Sequence, residues 1–162
     1  MTDPKKPTLT HISEDGAPAM VDVSPKARTE RQAVAEGALS CSKKAYDLLT
    51  GADNPKGDVL QVSRLAGIMA GKRAGELIPL CHILPATSIT VEATLDPELP
   101  GIRVTATATV EGQTGVEMEA LTAVSVALLA AYDMLKSADK TMVIDGVRLL
   151  SKSGGRSGNW RR

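Results

Sequence analysis

The chain has no phenylalanine, one tryptophan and two tyrosines among its 162 residues. With so few aromatic faces there is no platform on which unpaired bases stack. Charge of one sign is lacking as well: 19 basic and 19 acidic side chains leave a formal net charge of zero. That balance argues against binding driven by a phosphate backbone. Two cysteines, Cys41 and Cys81, cannot build a disulfide framework. With only two histidines beside them they make a poor zinc site, so no metal is expected. No run approaches the ~20 apolar residues of a membrane span, and residues 1–16 lack an apolar signal region. The expectation is a cytoplasmic protein that binds neither nucleic acid nor membrane.

What is present suits one compact domain. Hydrophobic residues make up 43% of the chain and charged residues 23%. A chain of this length buries roughly 70% of its unfolded surface, and the core must come from Val, Leu, Ile, Ala and Met. Residues 17–23 read as a short strand. Ser24-Pro25 has the form of a helix start. Gln32 to Ser40 reads as a strand, and Ser42 to Leu49 as a short helix ending at Gly51. After a turn over 53–57, a helix is expected from Asp58, its cap, to Glu76. Val59, Val62, Leu65, Ala66 and Met69 supply its apolar spacing.

Residues 88–95 and 102–110 alternate strictly between apolar and polar, and the Pro- and Gly-containing turn between them makes an antiparallel hairpin. Thr114-Gly115-Val116-Glu117 matches a capping box ahead of a helix running to about Ala138. Between Ala120 and Leu135 that helix carries one charge, Asp133. A helix apolar on most sides in so small a chain points to a subunit interface. A strand over 142–150 closes the order. The fold class is therefore α+β, a ferredoxin-like βαββαβ sandwich with an additional N-terminal strand.

Few residues in this frame can carry chemistry, and each has a plain structural reading beside the functional one. Lys56 precedes the N-terminus of the helix starting near Asp58, where free N–H groups, the helix dipole and an ammonium together favour phosphate. A solvated lysine in a turn is the plainer reading. Cys81 and His82 are adjacent, so on extended chain they point apart and do not form a nucleophile–base pair. Cys81 reads as a small apolar group. His82 reads as a packed histidine, yet it is the residue type that changes charge near neutral pH.

Glu117 has work enough in the capping box, whereas Glu119 on an apolar helix has no such role. Asp133 and Lys136 lie three apart on one helix face. Outwardly they are a helical ion pair. On a buried segment, the same pair can shift a lysine toward neutrality or hold a general acid or base. The run Ser151 to Gly158 is glycine-rich and basic; no helix follows it, so it is not a P-loop.

Taken together, Lys56-Gly57-Asp58-Val59, Ile78-Pro79-Leu80-Cys81-His82, Thr114 through Ala123, Tyr132-Asp133-Met134 with Lys136, and Lys152-Ser153-Gly154-Gly155 resemble the cyclic pyranopterin monophosphate synthase family of molybdenum cofactor biosynthesis. The likeness runs from about His11 to Gly158 and departs at Ile83, where many members have proline. It implies a substrate, 3′,8-cyclo-7,8-dihydroguanosine 5′-triphosphate, and as products cyclic pyranopterin monophosphate and pyrophosphate. It further implies a homohexamer, a trimer of dimers, requiring no cofactor, with Mg2+ able to accompany the triphosphate.

By motif matching, the resemblance makes Asp133, Lys56 and Lys136 catalytic. Leu80, Cys81, His82, Glu117, Met118, Glu119 and Lys152 fall on its substrate-binding lining, with no metal ligands. Residues 1–16 are then a flexible N-terminal arm, 17–158 a single catalytic domain and 159–162 a C-terminal tail. Two rivals stay open: another pterin or nucleotide enzyme such as a GTP cyclohydrolase, and a non-catalytic oligomer that binds a small regulator.

Overall fold

The computed structural model describes residues 12, 16–50, 57–84, 88–156 and 158–162. Alternation of side chains builds the sheet. In β1 (Thr29–Ser40), Ala33, Ala35, Gly37 and Leu39 point inward and are buried. In β3 (Gly101–Gly112), Ile102, Val104, Ala106, Ala108 and Val110 do the same beside them. β2 (Ser88–Asp96) completes the expected hairpin with β3, and β4 (Val143–Ser153) pairs with the other side of β1. The sheet order is β2-β3-β1-β4-β5, all neighbours antiparallel. The mixed α and β composition expected from the sequence is present.

Among the described residues four helices lie between the strands: α1 (Lys43–Thr50), α2 (Val59–Gly71), α3 (Ala74–Leu77) and α4 (Glu117–Leu135). α4 is long and apolar enough to cross a membrane, contrary to the expectation that no segment is. Half of that helix is instead packed inside the domain, with Ala120, Val124, Leu128 and Leu135 fully buried on the sheet. It lies so close that a Cβ on Gly37 would stand 2.9 Å from Leu128 Cδ1.

Several expectations need correction. Residues 17–23 form no strand; among the described residues the only pairing there is an isolated bridge between Ile12 and Pro18. Pro18 and Pro25 lack the N–H that a ladder needs. Ser24-Pro25 begins a turn, closed by Lys26 N–H to the Val23 carbonyl, and no helix follows. The fifth strand is at the other end of the chain. β5 (Trp160–Arg161), in the stretch expected as a tail, pairs with Ser151 and Lys152.

The expected helix over 58–76 stops at Gly71 and resumes as α3, although Asp58 caps it as foreseen by accepting from the Gln61 N–H. Its packing face also differs. α2 buries Val59, Ser63, Gly67 and Ala70, whereas Val62, Leu65 and Met69 remain exposed. Small residues let α2 and α4 approach closely: a Cβ on Gly67 would meet the Ala123 carbonyl oxygen at 2.8 Å. The larger apolar side chains are left outward. Finally, the capping box does not form. Val116 is the N-cap of α4 and no side chain caps it.

Asp139 was not singled out by the sequence. Its carboxylate accepts from Thr141 Oγ1 at 2.7 Å, Thr141 N–H at 2.8 Å and Ser42 N–H at 2.7 Å. It ties the segment after α4 to the start of α1. These bonds, the Thr141 hydroxyl foremost, hold its pKa at about 2, below the ordinary 3.8. The folded state therefore prefers the ionised form, and the stability this contributes is present above pH 4 and lost as pH falls toward 2. Asp139→Asn keeps the shape but lacks the charge. It is expected to melt several degrees below wild type at pH 7, the gap narrowing between pH 4 and 2 in calorimetric scans. A constant gap across that range refutes the assignment.

Candidate active site

The loop after α3 and the first turn of α4 face each other across a cavity of about 520 Å³. That volume is in the range of pockets for small molecules. Ile78, Pro79, Leu80, Cys81, His82 and Leu84 form one wall, and Thr114, Gly115, Glu117 and Met118 the other. The chain reaches this geometry through Leu80, the one described non-glycine residue with positive φ, at 63°. A left-handed leucine costs on the order of 1 kcal/mol or more and persists only where its surroundings hold it.

A second, polar cleft of about 170 Å³ adjoins the first, sharing Thr114, Gly115 and Glu117. Its remaining lining is Lys26, Arg31, Gln32, Lys152, Ser153 and Gly154. Lys152 Nζ stands 2.8 Å from Glu117 Oε1, so the carboxylate assigned to helix capping spans the two chambers as one half of an ion pair. Gly154, at φ 88°, lets the chain after β4 turn tightly against β1. A Cβ there would lie 2.0 Å from the Glu30 carbonyl oxygen. Arg31 is fixed along the same edge by its Nε–H donating to the Gly112 carbonyl at 2.9 Å.

Glu119 lies in the same first turn of α4. It is 3% exposed, and its Oε2 has no hydrogen-bond partner among the described residues. Burial pushes its carboxyl pKa up, and the nearby Glu117 charge adds to the effect. Burial likewise pushes up the Cys81 thiol, with the fields of Glu119 and Glu117 adding to it. A thiol held protonated is a poor nucleophile, in line with the packing role read from sequence.

Thus the fold brings Leu80, Cys81, His82, Glu117, Met118 and Lys152 together around the two chambers, with Glu119 beside them. Asp133 and Lys136 do not join them within one chain. They pair with each other at the far end of α4 and are 67% and 54% exposed. The expectation of a buried pair is corrected: helical spacing turns this face away from the sheet. Its electrostatic consequence is reversed too. The hydrogen bond and charge of Asp133 raise the Lys136 pKa rather than lowering it toward neutrality. Lys56 lies outside the described residues. Lys26 and Arg31 were missed because no local motif marks them; pairing of β1 with β3 and β4 is what carries Arg31 to the cleft.

An α+β domain with a half-apolar cavity opening on a basic cleft has the form of a binding protein or enzyme for a small anionic molecule. Residues 20–155 match the MoaC family model. A cyclic pyranopterin monophosphate synthase of Methylobacterium nodulans is 59% identical over 152 residues, covering 94% of this chain and 95% of its own. One from Cereibacter sphaeroides is 57% identical over 152 residues, covering 94% and 96%. The chain belongs to the MoaC family.

Proposed function

We propose that this chain is a cyclic pyranopterin monophosphate synthase, a lyase of molybdenum cofactor biosynthesis. It converts 3′,8-cyclo-7,8-dihydroguanosine 5′-triphosphate to cyclic pyranopterin monophosphate with release of pyrophosphate. The observation that carries this reading is the joining of two unlike chambers at Glu117. The larger suits a purine-derived ring system between Leu80, His82 and Met118. The smaller, with Lys26, Arg31 and Lys152, suits phosphates. The high identity to named synthases over nearly the whole chain supports the same assignment.

Opening the purine-derived ring and reclosing it as a pterin moves protons without net redox change, so side chains suffice for it. Glu119, pushed toward its protonated form by burial, is suited to give a proton and take it back. Lys152 and Arg31 neutralise charge on the departing pyrophosphate as a ribose-derived hydroxyl attacks the innermost phosphorus. Lys56 acts with them. Asp133 and Lys136 are catalytic here as well; because Asp133 holds Lys136 protonated, that lysine enters as a cation or proton donor. Mg2+ accompanies the triphosphate as part of the substrate, and no resident cofactor is called for.

Asp133 and Lys136 enter the site from a second copy. The exposed apolar residues Val62, Leu65 and Met69 on α2 and Leu129 on α4 support a two-fold contact through the helical layer. We take the assembly to be a homohexamer, a trimer of such dimers, in the cytoplasm. The strand order β2-β3-β1-β4 with helical crossovers supports a ferredoxin-like subunit, extended by β5 rather than by an N-terminal strand.

The deciding experiment supplies the cyclised GTP-derived triphosphate and measures both pyrophosphate and pterin product. Formation of the two in equal amounts is expected. Absence of both under broad conditions refutes the assignment, and a metal-dependent attack on GTP itself favours a cyclohydrolase.

A further inference from the structure

His82 has two ring nitrogens, and a neutral imidazole presents a lone pair on only one of them. Nε2 stands 2.9 Å from the carbonyl oxygen of Val21. A carbonyl oxygen only accepts, so Nε2 carries a proton, and in the neutral ring Nδ1 keeps the lone pair. The partner is a backbone atom in a segment with little structure of its own. Residues 19–23 belong to no strand, and the turn from Val23 to Lys26 is closed by one hydrogen bond.

Besides His82, one side chain supplies two of the ties between that segment and the rest of the domain. The carboxamide Nε2 of Gln113 donates to the Ser24 carbonyl at 2.9 Å and to the Lys26 carbonyl at 3.0 Å. Both partners are acceptors, which settles that the NH2 end of the amide faces them. One further tie, from Arg28 to the Glu111 carbonyl at 3.1 Å, fixes the end of the same stretch. Gln113 directly precedes Thr114 and Gly115, which line both chambers, and Lys26 on the strap lines the basic one. The grip therefore couples the position of the strap to the site at two places.

We propose that Gln113 is a positioning residue for His82. By gripping the strap over residues 21–28, it holds the Val21 carbonyl where that carbonyl fixes the ring proton on Nε2. Nδ1 is then the ring's acceptor for a ligand in the cavity that His82 lines. This rests on the synthase reading only in naming the ligand as the substrate; the orientation of the ring stands apart from it.

Nitrogen-15 NMR of labelled histidine reads the ring directly, and the only other histidine is His11, whose signal a His11→Asn chain removes. In the wild-type protein His82 is expected to show a protonated, exchange-protected Nε2 and a bare Nδ1. In Gln113→Met, which keeps the length and loses both donors, the Nε2–H signal broadens into exchange with water. In the same variant kcat falls about tenfold with a smaller change in KM, as expected when a reacting group loses its alignment. A proton on Nδ1 in the wild-type protein overturns the proposal without any variant. So does a Gln113→Met protein with an unchanged ring signal and unchanged kcat. If the wild-type protein does not turn over the triphosphate, the synthase reading fails while the ring signal still decides the role of Gln113.

Discussion

A Glu119→Ala chain and an Asp133→Ala chain, each inactive alone, should regain about one quarter of wild-type turnover when unfolded together in equal amounts and refolded. Random pairing makes about half the dimers hybrids, and a hybrid unites the intact residues in one of its two sites. The expectation follows from distance. Glu119 and Asp133 are 14 positions apart on α4, which at ~1.5 Å per residue is roughly 21 Å, beyond the reach of one small ligand. Two-fold packing of antiparallel helices brings the Glu119 end of one chain beside the partner's Asp133. Val62, Leu65, Met69 and Leu129 are the apolar surface such packing covers. Hybrid formation confirmed by mass spectrometry with no return of activity refutes a shared site. An active isolated monomer refutes it equally.

Asp133→Asn and Lys136→Ala should each lower turnover by about a hundredfold to ten-thousandfold, the span of a lost acid–base or charge contribution. Neither should move the melting temperature by more than a degree or two. The pair is exposed on the protomer, at 67% for Asp133 and 54% for Lys136, and exposed ion pairs contribute little to stability. Turnover and folding are thus separable at these positions. Near-normal rates in either variant remove that residue from the site. A large fall in melting temperature would instead assign the pair to holding subunits together. Asp133→Asn is informative in a second way: without the carboxylate, the Lys136 pKa loses the hydrogen bond that raises it, and the alkaline limb of the pH–rate profile of any residual activity should shift to lower pH.

The sheet was legible because strands with one buried face repeat with period two, a pattern that survives in the sequence whatever surrounds it. The hairpin of β2 and β3 and the inward row of β1 were read from that pattern alone, whereas α4 was read from an apolar run that carries one charge. The motifs of the resemblance also named Leu80, Cys81, His82, Glu117, Met118 and Lys152, six side chains that the fold gathers around two joined chambers. Tertiary structure decided what local patterns leave open. Glu117 fits a capping box, but Lys152 arrives from β4 and takes its carboxylate, and the helix starts without a cap. α2 has larger apolar residues at helical spacing, yet it packs on α4 through Ser63, Gly67 and Ala70, because close approach of two backbones selects small side chains. Asp133 and Lys136 look buried from their neighbours in sequence, and the direction of their helix face exposes them. Lys26, Arg31 and Gln113 carry no local signal, since each meets groups far along the chain that only folding brings close; Asp139 bonds locally to Thr141, but only folding adds Ser42.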